Sequence, residues 1–203
     1  MSESSILPHR MNDASPAFFH CHLDDKYGET ESDSQDFRLR LDAMGIRYKS
    51  LHVGDDRAVF LNLSGTTISD LSPLAVFPLT HLCLQGCYEI ADFSPLKDMS
   101  LIWLNLCRTK ITDLSPLGKL PLSYLDLHRT RTTDLLPLKD VPLRSLDIRF
   151  TRITDLSPLR RMPLRELSFY PSRIVCGLAL LRGIGSLATI NRRPVEAFWR
   201  RYG

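Results

Sequence analysis

Two groupings of thiols, imidazoles and carboxylates in this 203-residue chain have types and spacings that could do chemistry. His20, Cys21 and His22 are consecutive and could catch a metal ion. A structural zinc site, however, takes four ligands at set spacings, and no second pair lies nearby, so no metal is expected. Cys107 precedes His128 by 21 residues, and Asp126 lies two residues before that histidine. If the fold brings the three together, the imidazole could activate a thiolate. The remaining cysteines, Cys83, Cys87 and Cys176, stand alone, without a CxxC pair or the density of a disulfide scaffold. A reducing cytoplasm suits that pattern.

What would have to position such groups can be read from composition and repetition. The net charge is +3, the hydrophobic fraction 43% and the mean hydropathy −0.10, and no apolar run approaches the roughly 18 to 20 residues that span a bilayer. No basic start followed by an apolar stretch and cleavage site opens the sequence, so a cytoplasmic chain without membrane segments is expected. Residues 1–35 hold seven acids against two bases, whereas the second half is basic. This acidic segment is expected to be flexible and able to fold back on the basic half in a salt-sensitive autoinhibition.

Five segments align with one another: TTISDLSPLAVFPL from Thr66, CYEIADFSPLKDMSL from Cys87, TKITDLSPLGKLPL from Thr109, TRTTDLLPLKDVPL from Thr130 and TRITDLSPLRRMPL from Thr151. The period is about 21 residues, with one extra residue in the second copy. An LxxLxL run follows each copy, and its last two apolar residues alternate with polar ones, as in a strand with one buried face. Thr66, Cys87, Thr109, Thr130 and Thr151 come three residues later, where a small side chain can bond backbone as the chain turns, so Cys87 reads as a turn residue. Ser-Pro at 72 and 73, 94 and 95, 115 and 116, and 157 and 158 predicts a serine N-cap and a proline in the first turn of a short 3₁₀ segment. One copy cannot bury its leucines, but stacked copies make a continuous core.

The string TxITDLSPLxxxPLxxLxL, as it stands from Thr109 and Thr151, resembles the short bacterial leucine-rich repeats of the internalin type, with Thr in place of the usual Asn. It is also similar to the repeat arrays that follow some planctomycete-type serine/threonine kinases, although no glycine-rich loop, HRD or DFG occurs here. The resemblance implies an α/β repeat fold, a right-handed leucine-rich-repeat solenoid of about six strands. It would have a parallel concave sheet, a short 3₁₀ or helical convex side and caps at both ends. Residues 36–56 would form the N-terminal cap, 57–175 the repeats and 176–203 a C-terminal cap closed by Phe198, Trp199 and Tyr202.

In such an array the outward strand residues form columns about 4.8 Å apart per repeat. The first runs Phe60, His81, Trp103, Tyr124, Ser145 and Glu166, the second Asn62, Cys83, Asn105, Asp126, Asp147 and Ser168, and the third Ser64, Gln85, Cys107, His128, Arg149 and Tyr170. The aromatics, joined by Asn105, Asp126, His128, Asp147, Arg149 and Tyr170, make the expected partner-binding surface, because large aromatics dominate interface energetics. Aromatics also favour strands simply because they pack across them. A secondary basic edge holds Lys110, Arg131, Arg152 and Arg173, with Asp113, Asp134 and Asp155 three residues after the first three bases; a self-neutralising lattice is expected there.

The open concave face lacks oxyanion donors, so Cys107, His128 and Asp126 are expected not to catalyse. The sequence therefore predicts a cofactor-free protein-protein interaction module, a monomer with a homodimer as the other possibility. A recruiting subunit of a signalling enzyme such as a kinase, and a polyanion binder using the basic half, are the alternatives. Nucleic acid is disfavoured because aromatics and bases fall in different columns.

Overall fold

The computed structural model describes residues 31–54 and 57–202. Expectations that fall on His20, Cys21 and His22, and on most of the acidic segment, lie outside the described residues. α1 (Glu31–Ala43) runs across residue 35, where the N-terminal cap was expected to begin. Leu41 of this helix is buried, and Phe37 sets its ring 5.6 Å from that of Phe77, so the helix closes the N-terminal end of the core.

Nine strands form one sheet in chain order, more than the six the repeat alone predicts. β1 (Ser50–Val53) pairs antiparallel with β2 (Val59–Asn62). From β2 the sheet runs parallel through β3 (His81–Cys83), β4 (Trp103–Asn105), β5 (Tyr124–Asp126), β6 (Ser145–Asp147), β7 (Glu166–Ser168) and β8 (Thr189–Ile190). β9 (Arg193–Pro194) returns antiparallel before α2 (Val195–Tyr202). The extra strands are cap hairpins, whose polar backbone finishes a sheet that the repeats leave open at both ends.

Each strand is only a few residues long because its register comes from stacking. Leu61, Leu82, Leu104, Leu125, Leu146, Leu167 and Ile190 pair in sequence across the sheet and are all buried. The opposite wall is built of 3₁₀ segments such as Ser115–Leu117 and Ser157–Arg161, each burying one leucine of its Ser-Pro-Leu or Leu-Pro-Leu motif. The turn threonines behave as expected: the hydroxyls of Thr66, Thr109, Thr130 and Thr151 donate to the carbonyls of Leu63, Leu106, Leu127 and Ile148 at 2.7–2.8 Å. Cys87 donates its thiol back to Leu63 of the preceding repeat at 3.0 Å, and burial pushes its pKa up, as befits a turn residue.

The predicted serine N-caps are not the capping groups. In every repeat the aspartate two residues earlier accepts the backbone N–H: Asp70 from Ser72, Asp92 from Ser94, Asp113 from Ser115, Asp134 from Leu136 and Asp155 from Ser157, at 2.8–2.9 Å. Asp134 does this with no serine present, which shows that the Asp, not the Ser, makes the turn. These bonds hold Asp70 and Asp92 below the usual carboxylate range, chiefly through the backbone N–H; for Asp113 and Asp155 the serine hydroxyl contributes most.

Candidate functional site

The parallel register places Phe60, His81, Trp103, Tyr124, Ser145 and Glu166 side by side, and Asn62, Cys83, Asn105, Asp126, Asp147 and Ser168 in the next column. Neighbouring rings of the first column stack, with centroids 3.8 Å apart for Phe60 and His81, 6.4 Å for His81 and Trp103, and 4.9 Å for Trp103 and Tyr124. They do not form a uniformly presented strip. Phe60 is 3% and Trp103 6% exposed, while His81 and Tyr124 are half-buried, so the first pair are embedded in the stack.

Four of the six side chains in the second column bond the backbone. Asn62, Asn105, Asp126 and Asp147 each accept, through Oδ1, the N–H of the residue two positions on, which is Ser64, Cys107, His128 and Arg149. Asn105 is also buried. These side chains end each strand and turn the chain, a structural task that their place in the expected partner-binding surface did not include. Asp147 spends its remaining capacity on Arg149, whose Nε donates to both carboxylate oxygens at 3.0 Å. That pairing raises the Arg149 pKa and neutralises the charge expected to meet a partner.

Cys107 and His128 do meet, with Sγ 3.5 Å from Nδ1. The electrostatics run against catalysis. Burial, then the Asp126 carboxylate, push the Cys107 thiol up to about 12, and burial depresses the His128 pKa. Asp126 Oδ1 caps the His128 backbone, a different task from orienting an imidazole for base work. At neutral pH the pair is a thiol beside a neutral ring, the opposite of an activated thiolate.

This electrostatic state has a measurable outcome. Alkylation of the native protein at neutral pH should modify exposed Cys176 and leave Cys107 untouched until the chain unfolds. Because the folded pKa of Cys107 lies above its ordinary value of 9.0, the protonated thiol's contribution to stability is whole below about pH 9. That contribution is lost as pH rises toward about 12. Rapid native labelling of Cys107 would contradict the assignment.

Just past the third column lies a feature that column arithmetic passes over. Gly65 and Gly86 have left-handed φ of 68° and 70°, and the same repeat position holds Arg108 (58°), Arg129 (59°) and Phe150 (58°). Aligning the glycines of LSGT and LQGC with CRT, HRT and RFT in the sequence would have exposed it. Phe150 is 46% exposed and sits edge-on to His128 and Tyr170, with ring centroids 5.2 Å and 4.8 Å away.

The basic edge also differs from expectation. Lys110, Arg131, Arg152 and Arg173 are exposed, and among the described residues no ion pair joins the first three to Asp113, Asp134 or Asp155. The aspartates are turned to the N–H groups that they cap, so the self-neutralising lattice does not form. No group of His, Cys, Asp and Glu among the described residues could hold a metal ion.

No protein-family model and no curated relative matches the chain. Solved structures do. An internalin, InlF, from Listeria monocytogenes superposes with a TM-score of 0.58 and 28% identity over 63% of this chain and 39% of the other. An internalin C2 from the same organism gives 0.55 and 30% over 63% and 58%. The chain is a leucine-rich-repeat solenoid, similar to the internalins. The solenoid thus spans less than two thirds of the length of either neighbour. Among the described residues, no helix of the leucine-rich-repeat solenoid is long and apolar enough to cross a membrane.

Proposed function

We propose that this leucine-rich-repeat solenoid is a non-catalytic protein-interaction module that holds a protein or peptide partner on its concave face. The observation that carries this reading is the unbroken register from β2 to β7, which lines up chemically different side chains at one strand spacing. Such a face offers a rigid, extended surface that pays little ordering entropy on binding. The likeness to internalins supports the same general role. Within the face, half-buried His81, Tyr124, His128 and Tyr170 are the contacts, and Phe60 and Trp103 stack beside the first two. Free thiols at Cys83, Cys87, Cys107 and Cys176 suit a reducing compartment, the cytoplasm.

A photo-crosslinking residue placed at Tyr124 should trap a partner that the same residue at Leu136, exposed on the convex side, does not. Tyr124→Ala should then weaken that complex by about 1–2 kcal/mol, measured by calorimetry with the purified partner. Capture from Leu136 alone, or no loss in the Tyr124→Ala variant, would remove the concave face as the site.

A further inference from the structure

The left-handed turn position bears a cost that the fold does not require. Gly65 and Gly86 fill it in the first two repeats, yet the next three use Arg108, Arg129 and Phe150, residues that the left-handed region disfavours. Strain of this kind, kept where glycine would serve, points to a use for the side chains. Those side chains lie outside the concave columns, on the edge where the chain leaves each strand, and all three are exposed.

On that edge bases and aromatics interleave, contrary to the column-based expectation. The Arg129 guanidinium lies over the Phe150 ring, 5.1 Å from its centroid. Phe150 touches Tyr170, and Tyr170 lines a cleft of about 310 Å³ shared with Arg193, Arg201 and Tyr202 at the C-terminal cap. Tyr202 is 45% exposed and carries Arg201 over its ring. Exposed Lys110, Arg131 and Arg152 run alongside. The surrounding half of the chain, residues 101–203, holds 18 Lys and Arg against 8 Asp and Glu, whereas residues 1–100 hold 8 against 15. An anionic ligand is therefore drawn to this end of the solenoid.

We infer that this edge binds a single-stranded nucleic acid, with phosphates on the arginines and unpaired bases stacked on Phe150 and between Tyr170 and Tyr202. Charge alone would equally accept an acidic polypeptide. The π faces flanked by guanidinium groups are what favour nucleobases, and a duplex would hide the base faces that these rings would take. The surface borders the concave columns and shares Tyr170 with them, but no variant below changes a concave contact and the concave face is tested at Tyr124, so the two readings fail separately.

Fluorescence anisotropy with a short labelled oligo-dT tests the inference on the full chain. Binding should weaken with salt at a log–log slope of about −3, as expected for four cations, Arg129, Arg131, Arg193 and Arg201, at about 0.7 per phosphate. Phe150→Gly should lower affinity roughly fivefold or more through lost stacking. Its melting temperature should hold or rise, because glycine is the unstrained residue at this position, so lost binding cannot be lost folding. Arg193→Ala/Arg201→Ala should cost roughly tenfold or more, while the charge-matched Arg160→Ala/Arg161→Ala on a convex 3₁₀ segment should cost under about twofold. Three results would each overturn the inference: no binding at low salt, equal losses from the two arginine pairs, or polyglutamate competing as well as unlabelled oligo-dT.

Discussion

Leu125→Ala should lower the free energy of unfolding by about 3 kcal/mol, within the 2–5 kcal/mol range for buried leucines. Leu125 sits in β5, fully buried, with Leu104 and Leu146 as its strand partners on either side. A solenoid has no distant contacts to share the loss: each repeat touches only its neighbours, so a void at Leu125 weakens both interfaces of the middle repeat. Urea denaturation is the measurement, and a reduced m-value or a split transition would show the two halves uncoupling. Val76→Ala, exposed on the convex side, serves as the control and should stay within about 0.5 kcal/mol. A loss below about 1 kcal/mol for Leu125→Ala would mean that the stack is looser than its packing indicates.

Gly177→Ala should destabilise by at least about 2 kcal/mol, because two costs coincide there. Its φ is +84°, and an added Cβ would lie 2.5 Å from the Ser157 nitrogen and 2.7 Å from the Leu156 carbonyl carbon. Both are backbone atoms and cannot swing aside as a flexible side chain would. The adjoining segment is fixed: Cys176 bridges Asp155, and the Leu156 N–H donates to the Cys176 carbonyl at 3.0 Å. Gly177 is thus where the last repeat hands over to the C-terminal cap. Gly185→Ala, with nothing within 4 Å of the new Cβ, should be neutral or stabilising by up to about 1 kcal/mol, as thermal melts of the pair would show. Equal melting temperatures for the two variants would show that the junction is not rigid.

Both predictions depend on how residues meet, and that marks the limit of sequence reading in this protein. The repeat determined the leucine stack, the 3₁₀ convex wall and the strand columns, because nearly equal repeat lengths bring equivalent positions into register. It also gave the turn threonines their task, since a hydroxyl three residues past the strand needs only its own repeat to find the carbonyl.

Tertiary structure decided what each column can do. Phe60 and Trp103 are embedded while Tyr124 is half-buried, although all three occupy the same column. Burial is a property of the surroundings, and an alternating pattern does not encode it. Asp126 and Asp147 look like charges on a binding face, but they are held as caps on the turns that their own strands enter. Cys107 and His128 are neighbours, as their spacing implies, yet desolvation and Asp126 set the thiol's pKa away from catalysis. Only in three dimensions does Arg129 lie over Phe150, and does the C-terminal cap bring Arg193, Arg201 and Tyr202 to Tyr170. The physical reason is one of range. Periodicity specifies contacts that recur every repeat, whereas burial, electrostatics and the cap cleft arise where neighbouring repeats differ or where the repetition ends.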